Sequence, residues 1–188
     1  MKKFILKAFL VLLFPIVSFG QSFDGVSISG DLPTAVAKYR EKGYTVSKYF
    51  DQGVLLKGRV SSRPIELYIF VTPKSKKVFK MVAYFDKETS WIGLKSTYAT
   101  FFDILSNKYG DPDEKYARFL DPYYEGDGYE MQAVSLDKTV FAAYWFRRDN
   151  LTVGVEISKY EQVKLIYENN LMMDVRDREQ AEIDRKAF

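Results

Sequence analysis

Between residues 44 and 85 the chain carries four β-prone runs, at 44–50, 54–60, 65–71 and 78–85, separated only by short polar gaps at 51–53, 61–64 and 73–77. A parallel crossover needs a dozen or more residues, so gaps this short leave no room for crossover helices and force each run to pair antiparallel with its neighbour. The last run alternates Val78, Lys80, Val82 and Tyr84 with Phe79, Met81, Ala83 and Phe85. Two mainly apolar faces predict a strand covered, at least in part, on both sides.

Helices bracket this block. After a short strand at 26–28, Asp31 and Pro33 supply an N-cap and a first-turn proline for a helix over 32–42. Leu32, Val36 and Tyr39 form its stripe, and Gly43 ends it. A stronger helical period runs over 90–109, where Trp91, Leu94, Tyr98, Phe101, Phe102, Leu105 and Tyr109 recur every three or four residues, with Gly110 and Pro112 as the stop. This predicts an aromatic-rich face packed on the sheet through Trp91, Phe101, Phe102 and Leu105.

Further strands are expected over 115–120, 129–136, 140–146, 151–158 and 162–167. Val54, Ile65 and Val78 match Tyr129, Val140 and Leu151 in order, which predicts a weak internal duplication with an insertion within 111–128. The expected fold is α+β: an antiparallel sheet from two helix-plus-four-strand units, 31–86 and 90–168, with helices packed on it, and a charged C-terminal helix over 171–186. That last helix has a narrow apolar face of Leu171, Met172, Val175 and Ile183. Its acid-before-base pairs at i, i+4 are Asp174 with Arg178 and Glu182 with Lys186. It reads as a solvated helix along the sheet edge, with a partner-binding helix as the alternative.

The first twenty residues have a different character. Lys2, Lys3 and Lys7 precede an apolar run over 8–17, followed by the small residues Ser18 and Gly20. This is the order of a secretory signal peptide, and the apolar run is well short of the roughly 20 residues a membrane-spanning helix needs. We therefore expect a leader at 1–20, a mature chain from Gln21 forming one domain over 21–188, and a periplasmic or secreted location without stable membrane insertion. Three of the 28 basic residues lie in the leader and none of the 25 acidic ones do, so the mature chain is formally neutral. Neutrality removes the basic field that nucleic acid binding requires. With no cysteine, an exported chain must be held by its core alone, which points to a bacterial source.

The chain has no histidine. This excludes Ser-His-Asp and Cys-His nucleophiles and the two-histidine zinc helix, and no phosphate-loop or dinucleotide fingerprint occurs either. No cofactor is expected. Carboxylate chemistry or a Ser-Lys dyad survives as possible catalysis. The most unusual stretch is 121–130, where Asp121, Glu125, Asp127 and Glu130 interleave with Tyr123, Tyr124 and Tyr129 and with Gly126 and Gly128. It lacks calcium-loop spacing. It reads either as a plain turn or as a ligand-contacting loop in which Tyr123, Tyr124 and Tyr129 offer contact area while Glu125 and Asp127 orient polar groups. Tyr116 and Tyr160 are further surface candidates.

Gly30 and Leu32 near the mature start, then Lys108-Tyr109-Gly110-Asp111-Pro112, then Gly126-Asp127-Gly128-Tyr129-Glu130-Met131, resemble small exported proteins of unknown function from Bacteroides-type bacteria. The helix-plus-four-strand layout used twice resembles, at the level of fold, β-lactamase-inhibitor-protein-like domains. The resemblance implies architecture and no active-site residue. The expected function is a non-catalytic exported binding protein whose partner is a protein, peptide or envelope ligand. The alternative is a carboxylate-dependent, glycosidase-like hydrolase, which needs two acids across a cleft.

Overall fold

The computed structural model describes residues 21–187; the expected leader at 1–20 lies outside the described residues. A two-stranded ribbon of β1 (Ser22–Phe23) and β2 (Val26–Ser27) leads into α1 (Leu32–Glu41). Asp31 caps α1 by accepting from the Thr34 amide, and Gly43 follows it at φ +86°, a conformation that a side chain would strain. Then come β3 (Thr45–Phe50), β4 (Gly53–Val60), β5 (Arg63–Val71) and β6 (Val78–Phe85), α2 (Trp91–Tyr109), β7 (Glu114–Phe119), α3 (Glu130–Ser135), β8 (Thr139–Phe146), β9 (Leu151–Ser158), β10 (Gln162–Asn169) and α4 (Asn170–Ala187).

Eight strands form one sheet in the order β3-β4-β5-β6-β10-β9-β8-β7, antiparallel at every step. The short gaps thus produce the meander their length demands. The α+β class with a large antiparallel sheet and a C-terminal helix holds.

One face of the sheet is the core side. Val54 and Leu56, Leu67 and Ile69, Met81 and Ala83, Leu165 and Tyr167, Val153 and Val155, and Ala143 and Trp145 are buried there. Trp91, Leu94, Tyr98, Phe101 and Leu105 of α2 close over them. Phe101 stacks on Phe85 with ring centroids 4.0 Å apart. Phe102 and Tyr109 are the exceptions to the expected stripe, because both lie at the margin of the interface and are only partly buried. On β4, Gly58 leaves room for the buried Tyr44 ring: a Cβ there would lie 2.2 Å from it.

Two expectations about the strands are corrected. Residues 129–136 are not a strand, since 130–135 form α3, with Ala133 and Val134 buried and the Ala133 amide donating to the Tyr129 carbonyl. Glu130, Met131, Gln132 and Ala133 are strong helix formers, and the alternation that suggested a strand is too short to outweigh them. The partner of β8 is β7 instead, so the extra segment lies between β7 and β8, and Tyr129 is not the counterpart of Val54. The second correction concerns β6. A bulge opposite Phe70 and Val71 breaks the period, which puts Val78 with the core residues and Phe79 on the opposite face. Arg176 of α4 lies over the Phe79 ring there, at 5.5 Å.

Helix α4 does not form its expected Glu182–Lys186 pair. Glu182 reaches Lys74, and Glu179 accepts from the Lys74 and Ser75 amides, which anchors the helix to the β5–β6 turn. No helix among the described residues is long and apolar enough to cross a membrane.

Candidate functional site

In the loop at 121–130, Asp127 and Glu130 are engaged within the loop and Glu125 with α2, while Asp121 is exposed. Asp127 accepts from the Tyr124 amide at 3.1 Å and from the Tyr129 amide at 2.7 Å, and Glu130 accepts from the Gly126 amide at 2.8 Å. Glu125 turns away from them to meet Lys95 and the Trp91 indole N–H. The Lys95 hydrogen bond, joined by that of Trp91, holds the Glu125 carboxyl below the usual carboxylate range. Tyr123 is half-buried, whereas Tyr124 and Tyr129 are exposed at 65% and 61%. The predicted acids therefore do not converge, and among the described residues no group of three or more acidic side chains is placed to hold a metal. What remains for a ligand is the two exposed tyrosine rings.

A second surface, which the sequence reading did not single out, lies on the face of the sheet opposite α1 and α2. The strand registers carry one row of side chains across all eight strands: Lys48, Leu55, Tyr68, Val82, Ile166, Gly154, Tyr144 and Glu114. The neighbouring rows add Glu66, Tyr84, Lys164 and Glu156 on one side and Phe70, Lys80 and Glu168 on the other.

At the centre, Tyr68, Phe70 and Tyr84 form an aromatic group. Tyr68 meets Phe70 with ring centroids 6.3 Å apart at 15° and meets Tyr84 at 5.7 Å edge-on. These rings, with Val82, Ile166 and Tyr160, line a depression of about 500 Å³. Among the described residues no helix covers it. Only the end near Phe79 is roofed, by α4.

The charges in and around the depression are paired. Lys80 meets Glu168 and Lys164 meets Glu156, both at 2.6 Å, and Lys57 meets Glu66 at 3.3 Å. Tyr144 donates to Glu156 at 2.5 Å, and burial together with that bond raises its phenol well above the ordinary value. Gly154 makes this contact possible, because a Cβ there would stand 2.9 Å from the Tyr144 ring. Fixed cross-strand pairs of this kind hold polar groups in place without leaving a bare charge.

Neither a protein-family model, a curated protein nor a solved structure matches the chain. The site must be read from its own chemistry.

A hydrolase working through two carboxylates needs one acid whose pKa is raised. The carboxyls that are displaced here, Asp31, Glu125, Glu179 and Glu182, all move down. On the open face each glutamate that touches the depression or its rim has a lysine against it. Such an arrangement offers a ligand polar groups that are already held in position by their cross-strand partners. The open face was legible in one respect: β5 alternates Ile65, Leu67 and Ile69 with Glu66, Tyr68 and Phe70, a half-apolar pattern. A glycine inside the apolar run at 151–157 was the other signal, pointing to close approach by a neighbouring ring.

Proposed function

We propose that this protein is a non-catalytic binding protein of the bacterial envelope or medium, and that its open sheet face is where a protein or peptide partner docks. The observation that carries the reading is the aromatic group of Tyr68, Phe70 and Tyr84 standing in an uncovered depression between fixed ion pairs. Tyrosines supply large contact area with few rotors to freeze, and binding hot spots are enriched in them. The paired lysines and glutamates at the rim favour a partner with polar groups around an apolar centre.

Export is supported by the basic, apolar and small-residue order of the first twenty residues, and a bacterial source by the absence of cysteine. The order of elements supports a finer architectural proposal: α1 with β3 to β6 and α2 with β7 to β10 are two copies of one helix-plus-four-strand unit, joined through β6 and β10. This is also what supports the fold-level likeness to β-lactamase-inhibitor-protein-like domains.

The test compares the Tyr68→Ala, Tyr84→Ala and Tyr124→Ala variants in quantitative capture of partners from envelope extract. Loss of a hot-spot ring costs about 1–2 kcal/mol or more, on the order of tenfold in affinity. The expected outcome is that loss for Tyr68→Ala and Tyr84→Ala, with Tyr124→Ala close to the parent. Loss confined to Tyr124→Ala would move the site to the 121–130 loop and end the open-face reading.

A further inference from the structure

The two ends of the sheet are built differently. The edge strand β3 shifts register between Val46 and Lys48, and such a bulge twists an edge away from further pairing. The other edge strand, β7, pairs with β8 without interruption from Glu114 opposite Tyr144 to Phe119 opposite Thr139. Leu120 donates its amide to the Lys138 carbonyl at 2.8 Å. In an antiparallel ladder this directs the backbone groups of Glu114, Tyr116 and Arg118 toward β8 and those of Lys115, Ala117 and Phe119 toward the edge. Among the described residues no strand takes up those edge groups.

The side chains along this edge are self-complementary. Glu114, Tyr116 and Arg118 project on the open face, with Tyr116 between an acid and a base. Glu114, Lys115, Ala117 and Arg118 are exposed. We propose that two copies of this chain join edge to edge through β7, antiparallel about a two-fold axis at Tyr116, so that the sheet continues from one copy into the other.

This register sets Glu114 of each copy opposite Arg118 of the other, Tyr116 opposite Tyr116, and the long Lys115 opposite the small Ala117. Opposite charges facing across a ladder stabilise pairing and like charges oppose it. Centring the axis on Lys115 or on Arg118 would place two like charges face to face, and centring it on Ala117 would leave Glu114 without its base. Charge therefore selects one register. It also selects a second copy of the chain as the occupant of the edge, because a two-fold axis is what makes both ion pairs form at once. Pro112 and Pro122 bracket the strand and confine pairing to the segment between them.

Sedimentation equilibrium on the protein purified from expression of the full 188-residue chain tests this. The assay needs no other partner, so its outcome is independent of the open-face reading. A reversible monomer–dimer equilibrium is expected. Glu114→Arg and Arg118→Glu each turn two attractive pairs into repulsive ones and should raise the dissociation constant by about tenfold or more. The double variant E114R/R118E restores both pairs with the signs exchanged and should return the constant close to that of the parent. Melting curves at a dilution where all forms are monomeric are expected to coincide, because both positions are exposed at the sheet edge. A protein that stays monomeric at every concentration overturns the proposal. So does a dimer indifferent to the single reversals, or one that the double variant does not recover.

Discussion

Tyr98 and Tyr39 are both buried phenols, and their hydroxyls have opposite fates. Tyr39 donates to the Phe23 carbonyl at 3.0 Å and lies 3.2 Å from the Met81 sulfur. The Tyr98 hydroxyl is buried without a partner, and burial, aided by the charge of Glu156, pushes its pKa up to about 12. A buried polar group left unpaired costs about 1–3 kcal/mol, whereas a made hydrogen bond contributes about 1 kcal/mol. Tyr98→Phe is therefore expected to leave stability unchanged or raise it by about 1 kcal/mol, and Tyr39→Phe to lower it by a similar amount. Denaturant titrations of the two variants check this, and a clear loss in Tyr98→Phe would be the contrary result. The sequence marks neither difference. Both tyrosines sit on apolar helix stripes, and only the neighbours that the fold brings near decide which hydroxyl is satisfied.

Helix α2 shows how far a periodic pattern reaches at the scale of an element. Five of its seven apolar positions, Trp91, Leu94, Tyr98, Phe101 and Leu105, are buried, and Ser90, whose side chain accepts from the Gly93 amide, caps its start. Periodicity ranks Phe101 and Phe102 together, yet they differ in the fold. Phe101 is enclosed against Phe85. Phe102 leans on Tyr98 and Trp145 at the margin, with the Lys115 ammonium 4.3 Å from its ring centre. Removing an enclosed phenylalanine costs about 3–5 kcal/mol, because a cavity remains where the ring was. Phe101→Ala should pay that in full, while Phe102→Ala should cost about half as much since water can enter its place; chemical denaturation of both variants reads the ratio. Helix α4 makes the complementary point. Its i, i+4 acid–base spacing is real, but Glu182 finds Lys74 on the β5–β6 turn, a partner 108 positions away in the chain. Local spacing proposes pairs, and tertiary proximity chooses among them.

At the scale of the whole molecule, the titration of the protein follows from where its tyrosines lie. Burial raises the phenols of Tyr39, Tyr44, Tyr98, Tyr144 and Tyr167 above their ordinary value. An unfolded tyrosine ionises near pH 10. Above that point the unfolded chain releases protons that the folded chain keeps, so the stability these groups contribute is complete below about pH 10 and is lost as pH rises further. Because the chain has no histidine, nothing of that type titrates around neutrality. Stability is therefore expected to stay level from about pH 6 to pH 9 and to fall steeply above about pH 10, with these five phenols ionising together with unfolding. Phenolate absorbance followed alongside circular dichroism through an alkaline titration checks this. Five tyrosines titrating before the fold is lost would contradict it.

The sequence alone determined the antiparallel meander, because gaps of three to five residues admit no other connection, and it determined α1 and α2, because their caps and apolar periods agree. It also excluded histidine- and cysteine-dependent chemistry outright. It failed at 129–136, where a short alternation overlapped a run of helix-forming residues, and at Phe79, where a bulge inverted the parity of β6. Carboxylates at 121–130 suggested a site, and Asp127 and Glu130 bind amides of the same loop while Glu125 meets a lysine and a tryptophan of α2. The open face was decided by tertiary structure, since it joins residues of every strand from β3 to β10 into rows that exist only once the register is set. Period-2 patterning says which side chains share a face within one strand. Which faces are then covered depends on where the helices land, and that is a property of the assembled sheet.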